Sequence, residues 1–216
     1  MNIAAIRRKH FPVKTGAGYT IRVATKKEVD AFVGGVFDSV FPPQEGSLRF
    51  IASPERRAQL RVLKERYEVL HHEWFLFTDS KGTPIGWHIG EAEDAVTFYM
   101  RNTGVLPAHQ NRGIYEAFFA AFKRYLGELG YERVTSQHKA TNRRILILKL
   151  RQGFEIAGVE LTENWGAVVK VVLLLAPDRR LSFYRQFGQM DHLGATPPNK
   201  ALQRTRARRS SNSARR

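Results

Sequence analysis

The stretch Val105-Leu106-Pro107-Ala108-His109-Gln110-Asn111-Arg112-Gly113-Ile114-Tyr115 carries the deciding signal in this chain. An apolar strand ends, Pro107 breaks its ladder, a polar turn with one glycine follows, and a helix begins. The helix shows in Ile114, Ala117, Phe118, Ala121, Phe122, Tyr125, Leu126 and Leu129, which recur at alternating short helical spacings and make one apolar stripe. Gly130 closes it. A helix N-terminus presents unpaired N–H groups and the positive end of the dipole. With Gly113 letting the backbone approach closely, the turn is a candidate cradle for a pyrophosphate, with charge from His109, Arg112 and, further off, Arg143 and Arg144. An ordinary strand-turn-helix corner has the same pattern, so these residues alone leave both readings open.

Patterns alternate on either side. Downstream, Arg133–His138 reads as a strand, Thr141–Arg151 as a helix ended by Gly153, and Phe154–Leu161 and Ala167–Leu175 as two strands around the turn Glu163-Asn164-Trp165-Gly166. Upstream, Thr20–Ala24 is a strand. Thr25 with Glu28 forms a capping box for a helix to about Val40, stopped by Phe41-Pro42-Pro43. Ser53-Pro54 opens a helix to about Leu70. Trp74–Thr78 and Pro84–Glu91 make a hairpin around Asp79-Ser80-Lys81-Gly82, and Ala95–Leu106 is the strand that enters the deciding stretch. The fold class is α/β, an α+β mixed sheet of about seven strands with four main helices.

This arrangement resembles the GCN5-related N-acetyltransferase (GNAT) family. The resemblance rests on Gln110-Asn111-Arg112-Gly113-Ile114-Tyr115, which matches the family's Gln/Arg-x-x-Gly-x-Gly/Ala acyl-CoA signature except at Tyr115, where a small residue is usual. It rests also on Asn142, Ile145, Leu148, Gly153 and Phe154, which fall in register with a second motif, Arg151 standing in the family's Lys place. It covers about residues 20–176 and implies the GNAT-like acyl-CoA N-acyltransferase fold. It further implies transfer of an acetyl group from acetyl-CoA, as co-substrate and with no metal, to an amine of a small molecule or protein. The residues it assigns to acetyl-CoA are Val105, Leu106, Gln110, Asn111, Arg112, Gly113, Ile114, Tyr115 and Asn142. In this fold the strands Ala95–Leu106 and Arg133–His138 part, freeing backbone groups near Met100–Leu106 for the pantetheine amides and the thioester carbonyl.

The proton-transfer residues are less complete. The family often has a Tyr as the acid near the sulfur, and this chain has Lys149 there. Lys149 would donate a proton if desolvated; the plainer reading sends it to a CoA phosphate or to solvent. Tyr99, Tyr115 or water are the other acids. His138 and His88 are of the residue type whose titration range suits a base, though each more often than not is a satisfied structural histidine. Glu91, Glu93 and Asp94 read as a solvated hairpin tip, and His71-His72-Glu73 as surface at a helix end without metal-ligand spacing. The segment Phe41–Leu70 and the turn Glu163–Gly166 would line the acceptor side.

Composition bounds the rest. The 216 residues include no Cys, which excludes disulfides, thiolate metal sites and a Cys nucleophile. No Gly-x-Ser-x-Gly or Gly-x-x-x-x-Gly-Lys motif occurs. No secretory signal or membrane-length apolar run is found, so a cytoplasmic protein is expected, with no membrane partner. The net charge of +15 concentrates in the ends: +4 in residues 1–14, +7 in 199–216, and 24 basic against 20 acidic residues between. Nucleic acid is therefore not the expected partner, although a binder using these basic ends is a third reading. The division expected is a basic N-terminal extension (1–18), one acetyltransferase domain (19–194) and a disordered basic tail (195–216). A homodimer is compatible with it. The rival from another class is a non-catalytic acyl-CoA-binding module of the same fold.

Overall fold

The computed structural model describes residues 2–42, 53–162 and 165–186. Contacts divide the chain after Leu175. In the first unit the elements run α1 (Ile3–His10), β1 (Val13–Lys14), β2 (Thr20–Val23), α2 (Lys26–Val40), α3 (Pro54–Tyr67), β3 (His72–Thr78), β4 (Pro84–Ala92) and β5 (Thr97–Val105). A 3-10 turn, Pro107–His109, then leads to α4 (Ile114–Glu128), β6 (Arg133–Lys139), α5 (Arg143–Arg151), β7 (Glu155–Thr162) and β8 (Gly166–Leu174). The described part of the second unit is α6 (Pro177–Gln186). The described residues thus hold eight strands and six α-helices, against the seven and four expected. The additions are α1, β1 and α6. The expected boundary near 194 and the tail from 195 lie outside the described residues.

One mixed sheet takes the order β1-β2-β3-β4-β5-β6-β8-β7. Its neighbours are antiparallel except β5 and β6, which run parallel and pair only over Thr97–Tyr99 and Arg133–Thr135. Just beyond, β5 bulges. Ile89 faces Asn102 and Glu91 faces Tyr99, so Gly90 alone opposes both Met100 and Arg101. Glycine is required there: a Cβ on Gly90 would meet the Phe98 ring at 2.5 Å and the Tyr99 carbonyl at 2.8 Å.

The main core lies between the sheet and α4. The stripe read in the sequence is buried, with Phe118, Phe122, Tyr125 and Leu126 at 0% exposure. These side chains pack on Phe75, Phe77 and Phe98 with ring centroids 5.2–5.5 Å apart in the Phe75–Phe118, Phe77–Phe118 and Phe98–Phe122 pairs. On the opposite face, α2 packs Val29, Phe32 and Phe37 against Leu76 and Trp87. The capping box of α2 forms as expected, Thr25 and Glu28 bonding each other's backbone N–H.

The basic segment 1–18 is part of this unit rather than an extension before it. Phe11 is a core residue, and Ile3 and Ile6 pack against the same cluster. Arg7 donates through Nε and Nη2, at 3.1 and 2.8 Å, to Glu73, whose side chain is fully buried. Tyr125 donates to the same oxygen, and His71 Nε2 lies 2.7 Å from it. Lys9 and His10 both reach Glu128 at 2.8 Å. The positive charge at this end therefore compensates carboxylates of the fold. His71-His72-Glu73 is likewise no surface turn: Glu73 on β3 is the centre of a buried network. Burial raises the Glu73 pKa, but hydrogen bonds from His71, Arg7 and Tyr125 outweigh it and hold the carboxyl below its ordinary value. Removing one partner from a buried ion pair leaves its charge uncompensated. Arg7→Ala is accordingly expected to cost about 3 kcal/mol and to lower Tm by roughly 6–12 °C, measured by thermal unfolding at neutral pH. A loss under one degree would mean that α1 is not held through Glu73.

Candidate active site

A pocket of about 430 Å³ opens where β5 and β6 part. Its walls are Met100–Val105 of β5, Ser136–His138 of β6, the turn from His109 to Gly113, the first turn of α4, and the inner face of α5. Val40 and Phe41, at the end of α2, close one side. Beyond the Tyr99–Thr135 pair, the β6-facing edge of β5 has no strand partner among the described residues. Met100 keeps a hydroxyl on its carbonyl, from Ser136 Oγ at 3.5 Å.

At the other end of the pocket the turn is built as its residues suggest. Asn111 and Gly113 take left-handed conformations, φ 61° and 71°, on either side of Arg112. Gly113 is the N-cap of α4, no side chain caps the helix, and nothing lies within 4 Å of where its Cβ would stand. The first-turn N–H groups of α4 are thus left without a side-chain partner at the pocket wall, which suits an anion. Gln110 Nε2 donates to the Val105 carbonyl at 3.0 Å and ties the turn to the end of β5. Arg144 Nη2 donates to Asn111 Oδ1, bringing the guanidinium of α5 beside the turn. Asn142 caps α5 through Ile145 N, at 3.3 Å.

The structure brings Val105, Gln110, Asn111, Arg112, Gly113, Ile114, Tyr115, His138, Asn142 and Lys149 to this pocket. It leaves Leu106 and Tyr99 off the wall. The Leu106 N–H is bound to the Ile85 carbonyl, and Tyr99 Oη reaches Gln137 at 3.5 Å. Burial raises the Tyr99 pKa. Sequence reasoning missed the side chains of Ser136 and Arg101 as wall residues. No local pattern marks them, because the parting of two strands distant in sequence places them there.

Lys149 departs most from expectation. It does not point to solvent: it is 2% exposed and buried against the pocket wall. Nζ lies 3.3 Å from Met100 Sδ and faces the rings of Phe154, Phe119 and Tyr115, at 4.4, 5.5 and 5.7 Å from their centroids. No carboxylate pairs with it among the described residues. Desolvation brings its pKa down to about 7. The same environment disfavours charge on its neighbours. His138, bonded to Ser136 Oγ at 2.9 Å, is pushed down to about 3 by burial and then by the Lys149 charge. His88, bonded to Thr103 Oγ1 at 2.7 Å and completely buried, is pushed well below its ordinary value by the same two causes. Both are neutral hydrogen-bonding groups near neutral pH, and neither has the basicity expected of a general base. Burial also drives the Tyr115 phenol up.

Because the folded state holds Lys149 with a lowered pKa, unfolding takes up a proton between pH 7 and 10.5. The lysine's cost to the fold is therefore full below pH 7 and fades as pH rises towards 10.5. Lys149→Met is expected to raise Tm by several degrees at pH 6–7, with the gain shrinking at pH 9–10. A gain independent of pH would show that the amine is not held desolvated.

No protein-family model matches the chain, and no curated protein matches it in sequence. Solved structures do match it in fold. A protein assigned to the GNAT family, from Desulfovibrio desulfuricans, aligns with TM-score 0.53 and 15% identity, over 73% of this chain and 99% of its own. The yncA protein of Salmonella typhimurium, solved with its cofactor acetyl-CoA, aligns with TM-score 0.53 and 16% identity, over 74% and 95%. The ribosomal-protein-S18-alanine N-acetyltransferase of Escherichia coli aligns with TM-score 0.51 and 16% identity, over 73% and 94%. The chain has the fold of these acetyltransferases.

Proposed function

We propose that this chain, built on the GNAT fold, is an N-acetyltransferase that moves an acetyl group from acetyl-CoA to an amine of a small molecule or protein. One observation carries the reading: a parted strand pair and an uncapped helix N-terminus open into the same pocket. The two ends suit the two ends of an acyl-CoA. The α4 N-terminus, with Arg112 and Arg144 beside it, receives the pyrophosphate. The free edge of β5 from Met100 onward receives the pantetheine amides as a neighbouring strand would. The thioester then lies near the bulge, at the closed end of the gap.

Chemistry there depends first on proximity. Holding amine and thioester together in a partly dry pocket replaces a bimolecular encounter. A backbone N–H of the bulged segment polarises the thioester carbonyl and stabilises the charge that develops on its oxygen. The departing thiolate needs a proton or a positive charge nearby. Lys149 is the group placed to give it: an amine with a pKa of about 7, at the inner wall, with no carboxylate paired to it among the described residues. His138 and His88 are held neutral, so the acceptor ammonium loses its proton to water.

The test is release of CoA thiol from acetyl-CoA across a panel of small amines and peptide N-termini. Turnover with at least one acceptor is expected. Gly113→Asp, which sets a negative side chain against the pyrophosphate end, is expected to weaken acetyl-CoA binding at least tenfold, about 1.4 kcal/mol, in a variant whose fold is checked by circular dichroism. Unchanged affinity would remove the α4 N-terminus as the binding site. Tight binding with no turnover of any acceptor would favour a non-catalytic acyl-CoA-binding module instead.

Lys149→Met is expected to lower kcat about a hundredfold while leaving KM for acetyl-CoA within about threefold, the signature of a lost proton donor rather than a lost phosphate contact. A fall of less than tenfold would leave thiolate departure to solvent.

A further inference from the structure

Lys149 is the one lysine among the residues on the pocket wall, and its surroundings are unusual for an amine. It sits beside Met100, the first residue of β5 past the last β5–β6 pair, at the closed end of the gap. The groups that face it come from several elements: His88 of β4, His138 of β6, Tyr115 and Phe119 of α4, and Phe154 between α5 and β7. None supplies a negative charge near neutral pH. Two of these neighbours, His88 at Nε2 and Tyr115 at its hydroxyl, are buried without a hydrogen-bond partner, so the chamber does little to compensate an ammonium. An aromatic wall of this kind accepts a neutral amide more readily than a lone cation.

We infer that Lys149 is a site of self-acetylation, its Nζ attacking the thioester of acetyl-CoA bound in the pocket when no acceptor amine is present. The inference rests on the acyl-CoA reading of the pocket given above. In the step, the Nζ lone pair forms a C–N bond to the acetyl carbon and the C–S bond breaks. The electron pair leaves with sulfur as the CoA thiolate, and the proton shed by nitrogen passes to that thiolate or to water. The product is an uncharged acetyl-lysine amide and free CoA. No other reactant is needed. Geometry supplies the proximity, since the amine lies at the end of the gap where the acyl group must sit. Burial supplies the nucleophile, because a substantial part of the amine is neutral near pH 7. The amide blocks the inner end of the pocket and removes the proton donor, so a chain left with acetyl-CoA and no acceptor shuts itself down.

The experiment incubates the purified full chain with acetyl-CoA alone and follows intact mass, peptide maps and acetyl-CoA binding by calorimetry. One acetyl group per chain is expected, mapped to Lys149, with added CoA slowing its appearance. Its rate should rise as pH passes through about 7 and level off above, following the neutral amine. Lys149→Arg, which is never neutral in this range, should stay unmodified. If arginine does not fit the aromatic cage, Lys149→Met gives the same readout. Acetyl-CoA bound without acetylation of Lys149 would overturn this inference alone. So would acetylation no faster than that of the exposed lysines, or equally fast in urea. A chain that does not bind acetyl-CoA would overturn the acyl-CoA reading and this inference together.

Discussion

Two parallel strands that pair over only three residues set the terms for the rest of this molecule. The β5–β6 ladder runs from Thr97 to Tyr99 and stops. In the next two positions β5 carries an extra residue opposite Gly90, and a bulge of this kind bends and twists the strand that holds it. The sheet could not continue flat through that point, and β6 keeps its own antiparallel partner β8 along its full length. The gap is therefore a consequence of pairing, not of a missing side chain. Its cost is that the inner edge of β5 past Tyr99 has no strand partner among the described residues, side chains such as Ser136 and Gln110 taking single carbonyls instead. Its use is that such an edge can take an extended, amide-bearing ligand as an added strand.

The second constraint is electrostatic. A lysine with no counter-ion among the described residues, inside a wall of Phe119, Phe154 and Tyr115, is costly in its charged form. Cation–π contacts offset part of that cost and desolvation dominates, so the proton is loosely held. The same low-dielectric surroundings, with the Lys149 charge, push the pKa values of His88 and His138 down. Burial thus sets three titratable groups apart: two imidazoles held neutral and one amine whose pKa is brought down to about 7.

The third feature is the anchoring of the N-terminal helix. With no fully buried residue of its own, α1 would be marginal in isolation. It is held by Ile3, Ile6 and the following Phe11 on the apolar side and by Arg7, Lys9 and His10 on the polar one. Glu73 and Glu128 come from β3 and α4, so α1 ties the sheet to the helix whose N-terminus forms the pocket.

Much of this was legible in the residues themselves. The α4 stripe, the capping box of α2, the hairpin of β3 and β4, and the glycine turn before α4 depend on contacts within a few positions, and local periodicity encodes them. The turn residues Gln110 to Tyr115 and the capping Asn142 belong to that class. What escaped were features that depend on distant partners. Residues 1–14 carry four basic side chains and no acid, and only the fold reveals that their acids are Glu73 and Glu128. Strand β1 is two residues long and exists only because β2 lies beside it. Lys149 looks solvent-bound in sequence, since a charged residue on a short helix is normally exposed. The sequence by itself determined the elements, their order and the glycine turn before α4, because each arises from spacing along the chain. Tertiary structure alone decided where the sheet opens and which charges are stripped of water. Both depend on which residues the fold brings together across many tens of positions, and no local pattern records that.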